Sequence, residues 1–206
     1  MKKMINTLIS LMLLCVAMSG WTKDTAPDLL VKNTVDEVIA IIKQDNGIKK
    51  GERDRILDLV ENKILPHFNF TRMTQLAMGK NWSKAEPQQQ KELVNEFQTL
   101  LVRTYSNALT NYRDEVIEVN PLLPQSDPKT TTVKTVVTQG HGKEPVPIDY
   151  SMEKKPDGWK VYDVTVAGVS LVTNYRGSFN SQVRKGGVEG LLKILADKNK
   201  SLEGKK

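Results

Sequence analysis

The apolar residues of this chain change their spacing once, and that change limits the fold more than any other feature. From Val31 to Tyr112 they recur every three to four positions, the period of a helix with one buried side. Val31, Val35, Val38 and Ile42 mark a first helix over residues 26–45. Thr25-Ala-Pro-Asp28 reads as its capping box, and Gly47 stands just past its end. Ile56, Leu57, Val60 and Ile64 mark a second, from Glu52 to Ile64, stopped before Pro66. A short third runs from Asn69 to Met78, with Gly79 as its cap. Ser83-Lys-Ala-Glu86 before Pro87 signals the start of the longest, which reaches Tyr112 and measures roughly 40 Å at the standard rise. Its inward stripe is Leu93, Phe97, Leu100, Leu101, Tyr105, Ala108, Leu109 and Tyr112.

After Asp114 the pattern becomes that of strands. Residues 115–120 form a short one, and Pro121, Pro124 and Pro128 punctuate a loop. Thr130 to Gln139 is rich in Val and Thr, as strands are. Val146, Ile148, Tyr150 and Met152 alternate with Pro147, Asp149, Ser151 and Glu153, which gives a strand with one apolar face. Lys154 to Gly158 is a turn. Trp159 to Val166 is apolar on both sides and reads as a central strand covered twice. Helical spacing returns at Gly168 with Val169, Val172, Tyr175 and Phe179. Gly186-Gly187 breaks that helix, and Val188 to Lys198 forms the last. The predicted class is α+β: a helical N-terminal half, a twisted antiparallel sheet and closing C-terminal helices. A curved sheet closed by helices has room for an apolar cavity at the strand–helix interface.

The chain of 206 residues divides into three parts: a leader over 1–20, a single domain over 21–200 and a polar tail over 201–206. Lys2 and Lys3 precede an apolar run from Ile5 to Met18, and Ala17, Ser19 and Gly20 are small. This is the layout of a secretory signal peptide, cleaved between Ser19 and Trp21. The run is shorter than the ~20 residues a membrane span needs. The only cysteine, Cys15, lies inside it, so the mature chain has no thiol, which suits an oxidising compartment. The formal charge is +6; losing the leader removes two lysines and no acid, leaving +4, too mild to indicate nucleic acid.

Catalytic motifs are missing. There is no Gly-rich phosphate loop, no nucleophile elbow and no helix-borne histidine pair. His67 and His141 stand outside any metal-ligand spacing. Asp163, beside Tyr162, is the best candidate general base, with the phenol as oxyanion donor. The competing reading holds that carboxylate on neighbouring hydrogen-bond donors as part of the fold. His67, between Pro66 and Phe68, reads as a helix-boundary residue.

One segment, Trp159-Lys-Val-Tyr-Asp-Val-Thr-Val-Ala-Gly-Val-Ser-Leu-Val-Thr-Asn-Tyr-Arg-Gly-Ser-Phe179, closely resembles the hallmark of the MlaC family, periplasmic phospholipid-binding proteins also called toluene-tolerance proteins. Leu65-Pro-His-Phe-Asn-Phe70 resembles the family's Pro-x-Phe-Asp-Phe element, with Asn69 where Asp is usual. Leu76 to Trp82, Phe97 to Tyr105 and Gly187 to Leu191 are similar to further family segments, in the same order. The resemblance implies an NTF2-like α+β body whose apolar cavity takes acyl chains while the headgroup stays outside. It implies no cofactor, with phospholipid as cargo. The implied partners are an outer-membrane lipoprotein complex and the inner-membrane MCE-domain protein of an ABC transporter, in a system that maintains outer-membrane lipid asymmetry. The expected pocket wall is Phe97, Leu101, Tyr105, Leu109, Val133, Val137, Ile148, Tyr150, Met152, Val164, Val166, Val169, Val172 and Tyr175. The alternatives are a binder of other small hydrophobic solutes and an NTF2-like enzyme using Asp163.

The carrier reading fits the composition. Each methylene removed from water is worth about 0.8 kcal/mol, so a lipid of roughly 30 methylenes faces on the order of 20 kcal/mol on entering water bare. A dry pocket removes most of that barrier with no bond made or broken. A hydrated headgroup needs no charged pocket residue, and no polar constellation in the sequence selects one headgroup.

Overall fold

A computed structural model describes residues 25–110, 112, 115–122, 127–139 and 143–203. The leader and His141 lie outside the described residues. Among the described residues six α-helices come first: α1 (Pro27–Gln44), α2 (Asn46–Lys49), α3 (Arg53–Leu59), α4 (Phe70–Met78), α5 (Pro87–Tyr105) and α6 (Asn107–Thr110). Five strands follow: β1 (Val116–Val119), β2 (Thr130–Thr138), β3 (Val146–Lys155), β4 (Gly158–Val166) and β5 (Val169–Ser170). Helix α7 (Leu171–Glu203) closes the chain. The strands form one antiparallel meander in the order β1-β2-β3-β4-β5. The α+β class read from the change of period is the class observed.

Several boundaries differ from those expected, each for a local reason. Ala26 is the N-cap of α1 and no side chain caps it, so the Thr25–Asp28 box is not made. Gly47 does not stop α1; Asp45 ends it and caps α2 by accepting from the Gly47 and Ile48 amides. Gly47 is buried there, and a Cβ would lie 2.3 Å from Arg55 Cδ, closer than any side chain allows. The helix expected up to Ile64 loosens into a π turn over Val60–Ile64, then a 3-10 turn over Leu65–His67 that contains Pro66. Asn69 starts α4 by accepting from the Arg72 amide, and Gly79 ends it at φ 53°. A 3-10 turn over Gly79–Lys84 takes up Ser83, so the capping box of α5 forms between Glu86 and Gln89 instead. Helix α5 ends at Tyr105, short of Tyr112. The chain bends into α6, which carries Leu109 to the core formed by α1, α2 and α3.

Strand β4 is not central. Among the described residues, only the two-residue β5 lies beyond it, together with Phe68, which bridges to Val161, and the Asn69 amide, which donates to the Val161 carbonyl at 2.8 Å. A bulge opposite Ser151 and Met152 adds Tyr162 to β4, turning its ring to the helices while Val161 and Val164 face the other side. The bulge is why the apolar residues of β4 look two-sided in the sequence: it brings Val161, Val164 and Val166 to one face and leaves Lys160, Asp163 and Thr165, with the Tyr162 ring, on the other. Helix α7 starts at Leu171, after a turn at Ala167 and Gly168. Its break is where the two glycines placed it: Gly186 and Gly187 leave helical geometry, Gly187 at φ 68° and ψ −168°, which only glycine adopts without strain.

Three cores result. Helices α4, α5 and α7 bury Phe97, Phe179 and a set of leucines and methionines. The second half of α1 packs on α2 and α3 through Val38, Ile42, Ile48, Ile56 and Leu59. The first half of α1 lays Val31 on Val133, Met152 and Val161 of the sheet. Phe68 packs against both the helical core and the sheet core, so it stands at the seam between them.

Candidate functional site

Register assigns one face of the sheet to most of the expected strand residues. Val133 pairs with Tyr150, Thr131 with Met152, Thr135 with Ile148 and Val137 with Val146. On the next strand Tyr150 pairs with Val164, Ile148 with Val166 and Met152 with Val161, and Val166 then pairs with Val169. Directly opposite residues share a face, so Val133, Val137, Ile148, Tyr150, Met152, Val164, Val166 and Val169 form one apolar surface. Helix α1 covers one end of it, where Val133 and Met152 are fully buried. At the other end Val137, Ile148 and Val166 are half-buried, and Val169 is exposed. Burial pushes the Tyr150 phenol up, and Thr135, its side-chain hydrogen-bond partner, acts in the opposite direction.

The helical residues of the expected wall lie elsewhere. Phe97, Leu101, Val172 and Tyr175 pack in the core of α4, α5 and α7, away from that sheet face. The Phe97 ring meets Tyr175 at 5.0 Å and Phe179 at 5.1 Å, both edge to face. Leu109 joins the α1–α3 core, and Tyr105 is exposed at the end of α5. Burial, with the Tyr105 hydroxyl close by, raises the Tyr175 phenol to about 12. The structure therefore gathers the strand residues on one surface and the helix residues, apart from the exposed Tyr105, in two separate clusters.

A groove of about 600 Å³ opens beside the seam, among residues outside the expected wall. Leu65, Pro66, Phe68, Phe70 and Val94 give it an apolar floor. Phe68 and Phe70 stack there at 5.7 Å. Glu61, Lys155, Asp157 and Lys160 are its charged groups, with Asn69, Thr71 and Gln98 between. Lys160 Nζ donates to the Pro66 carbonyl at 2.7 Å and lies 3.0 Å from the Asp157 carboxylate, which it holds below the usual carboxylate range. His67 borders this region, and burial first, then the Lys160 charge, pushes its imidazole below its ordinary value. One sequence signal pointed here: Leu65 to Phe70 supplies most of the floor.

Asp163 is spent on the fold. It accepts from Ser170 Oγ at 2.5 Å, from the Val164 amide at 2.9 Å and from the Val172 amide at 3.1 Å, tying β4 to the first turn of α7. The Tyr162 ring instead faces the Arg72 guanidinium at 5.9 Å. Among the described residues no helix is long and apolar enough to cross a membrane, and no group of three His, Cys, Asp or Glu side chains is placed to hold a metal ion.

The family profile described as MlaC protein matches residues 32–197. This chain belongs to the MlaC family. Its relatives include the intermembrane phospholipid transport system binding protein MlaC of Haemophilus influenzae, 25% identical over 165 residues, 77% of either chain. The toluene tolerance protein ttg2D of Pseudomonas putida is 26% identical over 162 residues, 78% of this chain and 74% of that protein. Among solved structures, the phospholipid-binding protein from Ralstonia solanacearum, in complex with a phospholipid, superimposes with a TM-score of 0.78. It is 38% identical and covers 85% of this chain and 98% of its own. The family likeness thus extends from the quoted segments to residues 32–197, and the backbone match to 85% of the chain.

Proposed function

We propose that this protein is a periplasmic phospholipid carrier, which shelters acyl chains and moves lipid between an outer-membrane lipoprotein complex and an inner-membrane MCE-domain protein. The observation that carries this reading is the shared backbone with a solved protein that holds a phospholipid. The sheet supports it. Half of one apolar face is covered by α1, and the half around Val137, Ile148 and Val166 is not. Hydrocarbon laid on those side chains leaves water at about 0.8 kcal/mol per methylene, and no polar group there has to be desolvated. The expected wall then divides by role. The strand residues Val133, Val137, Ile148, Tyr150, Met152, Val164, Val166 and Val169 meet or back the acyl chains, Phe97, Leu101, Leu109, Val172 and Tyr175 hold the helices that frame them, and the exposed Tyr105 takes neither role. Delivery to the periplasm follows from the leader over residues 1–20, and residues 21–200 act as one lipid-binding domain.

Native mass spectrometry of the gently purified mature protein, followed by lipid extraction, tests this. Diacyl phospholipid at close to one per chain is expected. Trace lipid only, from folded protein, refutes it, and a different hydrophobic solute at stoichiometric level shows a binder of another class.

A further inference from the structure

We propose that the seam where α4 and the 3-10 turn after it pack on α7 is a docking surface for an anionic phospholipid bilayer. The sequence sets this seam apart by charge. Residues 69–85 hold Arg72, Lys80 and Lys84, residues 171–188 hold Arg176, Arg184 and Lys185, and neither segment holds an Asp or a Glu. Two of the 30 Lys and Arg lie in residues 1–20 and six in these segments, so the remaining 22 face 24 Asp and Glu. The positive excess of the chain beyond its leader therefore belongs to this seam.

Packing brings the two segments together. Arg176 Nε donates to the Leu76 carbonyl at 2.9 Å, and Asn81 Nδ2 donates to Asn180 Oδ1 at 2.5 Å. Lys84 Nζ donates to Asn81 Oδ1 at 2.8 Å. Arg176, Asn180 and Arg184 follow one another every fourth residue, so the two arginines stand a turn to either side of the Asn81 contact on one side of α7. Arg72 precedes Leu76 by one turn of α4, its guanidinium 5.9 Å from the Tyr162 ring. All six cations are exposed, and none forms an ion pair among the described residues, whereas Lys32, Arg55, Lys63, Arg103, Lys160 and Lys193 all do. The acids nearest the seam in the chain are engaged elsewhere. Asp163 holds Ser170 and the Val172 amide, Glu86 caps α5, and Glu189 accepts from Gln89 at 3.4 Å. Glu153, which reaches the start of α4, accepts from Asn69 at 2.6 Å.

The surroundings of these cations favour a bilayer over a protein. A protein partner is held by an apolar centre freed of water. The exposed large hydrophobic residues among those described, Leu29, Tyr105, Val116, Val169 and Ile194, lie outside both segments. Exposed Ser83, Gly177 and Ser178 stand among the cations instead, and small side chains leave room for phosphate groups to approach. Half-buried Trp82 lies between Lys80 and Lys84, its ring on the helical core and its indole N–H without a partner among the described residues. Tryptophan with one apolar and one wet end suits a membrane interface. Unpaired cations are attracted by anionic headgroups, each strengthening binding about fivefold, and salt screens the attraction. The attraction requires no cargo, so it stands apart from the carrier reading.

Cosedimentation with vesicles, which counts protein on membrane rather than lipid on protein, tests this. At low salt the purified mature protein should bind vesicles of equal parts phosphatidylglycerol and phosphatidylcholine. It should leave vesicles of phosphatidylcholine alone unbound, and about 1 M salt should release it. Lys80→Gln, Arg184→Gln and Lys185→Gln combined should weaken binding about a hundredfold. Lys49→Gln, Lys50→Gln and Lys129→Gln combined remove the same charge on α2 and before β2, and should weaken it less than about tenfold. Melting temperature checks that each variant is folded; Lys185→Gln alone, expected to lose about fivefold, replaces the first set if it is not. Equal losses in the two triple variants assign the binding to net charge and overturn the proposal. Equal binding to both kinds of vesicle overturns it as well. No binding of the folded wild type to phosphatidylglycerol vesicles also overturns it, and leaves the seam to an acidic protein.

Discussion

Ile148 offers the sharpest test of where acyl chains lie. It sits mid-sheet, paired with Thr135 on one side and Val166 on the other, at the end of the apolar face that α1 does not cover. In Ile148→Glu the lipid-free protein loses part of one half-buried aliphatic chain, about 1 kcal/mol, because the new carboxylate can reach water. For a domain this size that lowers the melting temperature by about 2–4 °C. With lipid in place the carboxylate lies against hydrocarbon. The cheapest remedy is protonation, and neutralising a glutamate of ordinary acidity at pH 7 costs about 4 kcal/mol, or roughly a thousandfold in lipid affinity. The sign of the pH dependence follows. The lipid-bound form holds the proton more tightly, so affinity is lost as pH rises above about 4.3 and returns as it falls towards that value. Ile148→Gln, which cannot titrate, should show no such recovery. Bound lipid and melting temperature, measured on the same samples at pH 7 and pH 4.5, decide the matter. Full occupancy in the folded Glu variant at pH 7 refutes the placement of the chains on this end of the sheet. A loss that occurs only through unfolding does so as well, since it makes Ile148 ordinary core.

Three further outcomes follow from the geometry. Phe97→Ala empties the centre of a three-ring cluster, so it should cost about 3–5 kcal/mol in urea unfolding, and a loss below about 1 kcal/mol contradicts the packing described. Asp163→Ala removes the acceptor that starts α7 and should cost about 1–2 kcal/mol, with lipid transfer per folded molecule unchanged; a hundredfold transfer defect in a folded variant would instead restore the catalytic reading. His67 is held below its ordinary value, so the unfolded chain binds its proton first and stability should decline as pH falls below about 6.5; the slope of stability against pH between 5 and 7 should be flatter in His67→Gln, and an identical slope in both proteins refutes that contribution.

Local periodicity was legible because it needs no partner to be true. The spacing of Leu93, Phe97, Leu100 and Leu101 commits those residues to one side of a helix whatever that side meets. The alternation of Ile148, Tyr150 and Met152 likewise places them on one sheet face before any neighbour strand is known. Asp163 illustrates the limit. Its place on a strand was readable, but the donors that occupy it, Ser170 Oγ and the Val172 amide, arrive only when the turn at Ala167 and Gly168 folds back.

The α+β class, the apolar face of β3, the break at Gly186-Gly187 and the family resemblance are all written in the order of the residues, whereas the bulge that gathers the apolar residues of β4 on one face is not. Nor does that order determine which apolar surfaces meet. Leu101 and Ile148 are equally aliphatic and equally periodic, yet one is packed under α7 and the other stands half-uncovered on the sheet. That difference depends on where α1 crosses β2 and on the bend after Tyr105, which sends Leu109 to a separate core. The groove is equally a tertiary product, because Glu61, Val94 and Lys155 come together only when three distant segments converge. The physical reason is common to all of these. Hydrophobic burial is non-directional, so a pattern states that a face will be covered, and only the packed chain decides by what.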